Sequence, residues 1–190
     1  MVKDLMEYGI TKGKKAFFFS LFSILIFSAF SFSFENKTED LFTKIGVQPI
    51  KDNKKAPNFY LEDLKGKKWE LKNLKGKVIF LNFWATWCSP CKEEMPSIEG
   101  LHRQFKEKDF IFLTISVDYK KGEAVKEFIE KHHYTFPVLL DPKGLALNLF
   151  EVKGIPSTFI IDKRGRMIGK AIGPRNWKSQ EVISLVNLMT

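Results

Sequence analysis

Two cysteines, Cys88 and Cys91, are the only thiols in a chain of 190 residues. Two residues separate them, close enough to form and reopen a small disulfide ring. The apolar run Val78-Ile79-Phe80-Leu81-Asn82-Phe83 precedes them, and a helical pattern with Met95, Ile98, Leu101 and Phe105 on one face follows. This order puts both sulfurs where a buried strand gives way to a helix. The first turn of a helix has backbone N–H groups without intrahelical partners, and the helix dipole adds partial positive charge there. A thiolate is favoured over a thiol at such a place, and the thiolate is the reactive form. Cys88, the first of the pair, is expected to be the more exposed and to be the attacking sulfur, with Cys91 the resolving one.

A C-x-x-C pair also serves as a structural bridge or as half of a zinc site. Zinc needs about four ligands. The three histidines, His102, His132 and His133, do not stand at finger-like spacing from the cysteines, so no metal is expected. A tryptophan before the pair and a proline within it, at a strand-to-helix junction, favour redox chemistry. No cofactor beyond a Cys88–Cys91 disulfide is then required.

The elements that must hold this pair can be read along the chain. Residues 1–15 are polar and end in a lysine cluster, and residues 16–34 are a run of 19 without charge. As a helix that run spans about 28 Å, near the thickness of a bilayer's hydrocarbon core. It reads as a transmembrane signal anchor, or alternatively as a signal peptide cleaved near Ala29-Phe30-Ser31. Lysines before it and acidic residues after it leave the N-terminus cytoplasmic and the following domain outside. Residues 35–55 read as a linker, with Lys51-Asp52-Asn53-Lys54-Lys55 a flexible tether. The folded domain is expected over 56–190. Residues around Tyr60 and Trp69 flank a glycine-containing turn as a hairpin. Phe110–Val117 is a second buried strand, Glu123–His132 a helix, Val138–Leu140 a short strand and Leu145–Phe150 a short helix. Thr158–Ile161 and Arg166–Ile172 flank the turn Asp162-Lys163-Arg164-Gly165 as another hairpin, and a helix closes the chain. The expected fold class is α/β, a central mixed sheet flanked by helices. The formal charge of +9 could attract nucleic acid or anionic lipid. Closely alternating Lys and Glu and the lack of a nucleic-acid motif instead suggest a solvated basic surface.

The segment Trp84-Ala85-Thr86-Trp87-Cys88-Ser89-Pro90-Cys91-Lys92 resembles the thioredoxin active-site segment. Gly154-Ile155-Pro156-Ser157-Thr158 resembles the family's cis-proline loop. Ala56-Pro57-Asn58-Phe59, the run Lys92-Glu93-Glu94-Met95-Pro96 and the N-terminal apolar segment are most similar to the membrane-anchored TlpA/ResA type. The resemblance implies a thioredoxin-like fold with an N-terminal β-hairpin and an inserted strand and helix between Phe110 and Leu140. It also implies protein-disulfide oxidoreductase activity outside the cytoplasm, at a bacterial inner membrane. Asn82 stands where thioredoxins proper carry a buried Asp, and an amide cannot take a proton. The resemblance passes that role to Glu94, whose partly buried carboxyl would exchange protons near neutrality. Pro156, preceded by Ile155, would expose backbone to an extended client beside the sulfurs. Pro90 suits the first helical turn and in the family influences redox poise. Trp87 is expected at the rim and Trp84 in the packing.

By resemblance the protein reduces disulfides in clients such as apocytochrome c, with electrons from a membrane thiol donor. Rival readings are a disulfide-forming oxidase or isomerase and a Cu(I) metallochaperone. A peroxidase of the related peroxiredoxin branch is disfavoured, because Leu81 and Ala85 stand where that branch places Pro and Thr.

Overall fold

The computed structural model describes residues 37–190, except 53, 120 and 121. The expected anchor over 16–34 lies outside the described residues. Among those described, no helix is long and apolar enough to cross a membrane. The chain divides into two units, Met1–Asp40 and Leu41–Thr190. Of the first, residues 37–40 are described and are helical.

The second unit is built on one eight-stranded mixed sheet. Its strands in chain order are β1 (Gln48–Pro49), β2 (Tyr60–Asp63), β3 (Lys68–Glu70), β4 (Val78–Trp84), β5 (Phe110–Ser116), β6 (Val138–Leu140), β7 (Ser157–Ile161) and β8 (Met167–Ile172). The helices are α1 (Ser89–Phe105), α2 (Glu123–Lys131), α3 (Leu145–Leu149) and α4 (Gln180–Met189). Across the sheet the order is β1-β8-β7-β4-β5-β6-β2-β3. Strand β4 runs parallel to β5 and antiparallel to β7, and β5 runs parallel to β6.

Every residue of β4 is buried, which explains why it reads as an unbroken apolar run rather than an alternating one. Its side chains still alternate between two faces. On one face Phe80 meets Trp177 edge-on at 5.6 Å, and Trp84 meets Phe128 of α2 at 5.4 Å. On the other, Phe83 packs against Phe150 and Phe159. Asn82, between Phe80 and Trp84 in the same phase, therefore faces α1 from within an apolar layer.

Both expected hairpins form, β2–β3 and β7–β8. Asp63 shapes the first turn by accepting from Lys65 N at 2.8 Å and from the Trp69 indole at 2.9 Å. Asp162 shapes the second by accepting from Arg164 N at 3.0 Å and Arg166 N at 2.9 Å. The stretch from Phe110 to Leu140 supplies β5, α2 and β6, so the inserted strand and helix extend the sheet towards β2.

The linker expected over 35–55 requires correction. Leu41, Phe42 and Val47 are buried in the core, and β1 pairs with β8 through Gln48–Lys170 and Pro49–Gly169. Lys55 bridges to Arg166. The folded unit thus begins at Leu41 rather than near Ala56. Gly169 makes this docking possible: a Cβ there would lie 2.7 Å from Val47 and 3.1 Å from Phe42.

Candidate active site

The site forms where β4 ends. Cys88 has extended backbone and caps α1, its Sγ accepting from the Cys91 N–H at 3.3 Å. A helix N-terminus thus meets sulfur directly, as the order of strand, cysteine and helix requires. Pro90 occupies the first turn, where its missing N–H costs nothing. The two cysteines are joined in a disulfide, S–S 2.05 Å, so this is the oxidised protein. Cys88 is 6% exposed and Cys91 0%. Solvent therefore reaches the pair through a narrow window on Cys88. Trp87, 63% exposed, stands beside that window.

The Ile155–Pro156 peptide bond is cis. The Ile155 carbonyl oxygen lies 3.8 Å from Cys88 Sγ, near enough to accept from the thiol of the reduced protein. Ile155 is half-buried and Pro156 buried. The structure therefore brings Trp87, Cys88, Cys91 and Ile155–Pro156 together, with Pro90 exposed on the first turn of α1.

One helical turn beyond Cys91 lies a buried polar network. Glu94, one turn after Cys91, is 2% exposed, whereas its neighbour Glu93 faces solvent. Glu94 Oε1 accepts from Asn82 Nδ2 at 2.8 Å; its Oε2 accepts from the Trp177 indole N–H at 2.9 Å and the Arg175 backbone N–H at 3.1 Å. Burial pushes the Glu94 carboxyl up to about 7, against the opposing pull of those three donors. Asn82 Nδ2 also donates to Thr158 Oγ1 at 2.9 Å, while Asn82 Oδ1 is buried without a partner. The result is a carboxyl able to gain or lose a proton near neutrality, on the same helix as Cys91.

Three contributors escape sequence reasoning. Trp177 and Arg175 come from the loop between β8 and α4, more than 80 positions from Glu94, and no periodicity marks them. Asp118 is the third. It accepts from Thr86 N at 3.0 Å, Thr86 Oγ1 at 2.6 Å and Ser116 Oγ at 2.7 Å, pinning the segment before Cys88 to the end of β5. Of the histidines, His133 is exposed and His102 half-buried, while the exposed His132 lines a shallow hollow together with Thr86 and Lys92. Among the described residues no group of three or more His, Cys, Asp or Glu gathers as it would around a metal ion.

A cysteine pair at the head of a helix, a cis-proline loop against it and a mixed sheet beneath define a thioredoxin-like thiol–disulfide oxidoreductase. Comparison with known proteins agrees. The chain belongs to the AhpC/TSA family, whose sequence model matches residues 53–169. It is 42% identical to a thiol-disulfide oxidoreductase ResA of Bacillus cereus over 128 residues, covering 67% of this chain and 73% of that protein. With ResA of Bacillus subtilis (strain 168) the identity is 39%, covering 67% and 71%. Among solved structures, a putative thiol:disulfide interchange protein DsbE from Chlorobium tepidum superposes with a TM-score of 0.65 at 33% identity, covering 72% of this chain and 99% of that one. StoA of Bacillus subtilis superposes with a TM-score of 0.60 at 25% identity, covering 71% and 98%.

Proposed function

We propose that this oxidoreductase is held at the outer face of the bacterial inner membrane by residues 16–34 and works there as a reductant of client disulfides, apocytochrome c among them. In the reduced protein the Cys88 thiolate attacks one sulfur of a client disulfide. A Cys88–client mixed disulfide forms and the other client sulfur leaves as a thiolate. Cys91 then gives its proton to the Glu94 carboxylate and attacks Cys88 Sγ. The second client sulfur leaves and takes up a proton, and the Cys88–Cys91 disulfide closes. Two electrons have passed to the client. A membrane thiol donor reverses the cycle and restores both thiols.

The observation that carries this reading is the asymmetry of the pair. Cys88 has the only solvent window of the two, and one helical turn beyond Cys91 stands a buried carboxyl poised near neutrality. The exposed Trp87 and the Ile155–Pro156 backbone flank the window and supply a surface for an extended client segment. The uncharged run over 16–34 and the acidic residues that follow it in the sequence support an external location, and the relatives named thiol-disulfide oxidoreductases support the thiol–disulfide chemistry.

Trapping tests the roles. With Cys91→Ala, clients are expected to stay covalently attached to Cys88 and to be released by dithiothreitol; Cys88→Ala is expected to trap none. The potential of the pair tests the direction: a value near about −120 mV, characteristic of a strong oxidant, overturns the reductant assignment. Fractionation of tagged full-length chain tests the anchor, which requires recovery with membranes after carbonate extraction.

A further inference from the structure

The residues leading into β1 read in the sequence as part of a linker, yet they are bonded to the loop that holds the candidate proton-exchanging group. We infer that Arg175 is a positioning residue for the Glu94 carboxyl, and that Ile45 and Gly46 act on that carboxyl by holding Arg175 in place. This inference rests on the proton-exchange role given to Glu94 above.

The geometry is a chain of direct contacts. The Arg175 guanidinium donates outward to four backbone carbonyls: Nε to Ile45 O at 3.0 Å, Nη2 to Gly46 O at 2.6 Å, and Nη1 to Ile172 O at 2.9 Å and Gly173 O at 2.7 Å. The planar fork of donors suits this task, and a lysine ammonium cannot reproduce it. On its inner side the same residue gives its backbone N–H to Glu94 Oε2 at 3.1 Å. Ser97 completes the stitching: its hydroxyl lies 2.7 Å from Glu94 O and 3.2 Å from Arg175 O and accepts from Trp177 N at 3.0 Å. One residue therefore ties residues 45–46 on one side to the carboxyl on the other.

The groups facing Glu94 come from two elements. Strand β4 supplies the neutral Asn82 amide, and the loop before α4 supplies the neutral Trp177 indole and the Arg175 backbone and charge. The charged group acting on Glu94 is Arg175, which favours the carboxylate. Both contributions of Arg175, its N–H and its charge, stabilise the ionised form. Burial is the largest influence on Glu94 and raises it; where the carboxyl stays buried, loosening the loop weakens both opposing contributions, so Glu94 holds its proton to higher pH.

Gly46 allows the connection to be tested from a distance. It is exposed, has φ +65°, and a Cβ there would lie 3.3 Å from Arg175 Nη2. Gly46→Val strains the backbone and displaces the guanidinium without touching Glu94 or the cysteines.

The direct readout is a ¹³C NMR titration of the Glu94 carboxyl in the oxidised protein, assigned by its loss in Glu94→Gln. Arg175→Met and Gly46→Val are each expected to raise the Glu94 midpoint by about half a pH unit or more, and Arg175→Lys to raise it less than Arg175→Met. Unchanged midpoints in folded Arg175→Met and Gly46→Val overturn the inference. If Arg175→Met does not fold, Gly46→Val alone decides. The pH profile of thiol alkylation in the reduced protein is the second arm. If Glu94→Gln leaves that profile unchanged, the catalytic role of Glu94 fails, while the NMR midpoints still decide the role of Arg175.

Discussion

Replacing Glu94 by Gln is expected to change how stability depends on pH, and the size follows from the site. The carboxyl sits at about 7 in the folded protein against 4.5 for an ordinary glutamate. Well below that lower value both folded and unfolded chains keep the proton and the group adds no pH dependence. Between 4.5 and about 7 the unfolded chain releases it while the folded protein retains it. The folded state then binds more protons, and stability falls as pH rises. At about 1.4 kcal/mol per unit, the loss is about 3 kcal/mol by about pH 8. The substituted glutamine has no charge to lose. Its oxygen can accept from Trp177 and Arg175, and its NH2 group needs an acceptor. Asn82 Oδ1, buried without a partner in the present structure, provides one if the Asn82 amide turns over, and the Thr158 hydroxyl can then donate to the same oxygen. The assay is urea unfolding of the oxidised proteins, wild type and Glu94→Gln, at about pH 4.5, 6 and 8, spanning the window in which linkage acts. The stability of the variant relative to wild type is expected to rise by about 3 kcal/mol across that range, a relative shift in urea midpoint of about 1–3 M. A difference that stays constant with pH refutes the placement of a proton on Glu94 near neutrality.

Gly169→Ala tests whether residues 41–49 belong to the folded unit: overpacking against Val47 and Phe42 should cost about 1–3 kcal/mol in equilibrium unfolding, and no cost would return the segment to the linker. Asp141 accepts from Leu145 N at 2.7 Å and Leu147 N at 2.9 Å, so Asp141→Ala should lose about 0.5–2 kcal/mol, measured in the same way. Asp118→Ala leaves the hydroxyls of Thr86 and Ser116 and the Thr86 N–H without their acceptor. It should cost about 1–3 kcal/mol and speed hydrogen exchange at the Thr86 amide, read by NMR.

Much of the architecture was legible because its signals are local. Strands β4 and β5 announce themselves as continuous apolar runs, which only a strand buried on both faces sustains. The Asp162–Gly165 turn names its hairpin because Asp and Gly are the residues such a turn demands. The cysteines declare their chemistry by spacing and by the helix that follows. Glu94 was found through resemblance alone; nothing in Lys92-Glu93-Glu94 tells which carboxyl turns inward. The rest depends on contacts that leave no periodic trace. A two-residue strand such as β1 is too short to alternate, so its pairing with β8 is invisible before folding. Trp177 reads as one more aromatic residue near a terminus, and only the fold carries its indole to a carboxylate 83 positions away.

The margins of the sheet carry a consequence for the protein at high concentration. One outer strand is two residues long and the other three, the latter opening with Lys68. Rows of free amides this short give a neighbouring molecule little to pair with, and a lysine at the rim repels a like copy. Among the described residues, eight strands are thus laid side by side with only these brief margins left open to a ninth from another molecule.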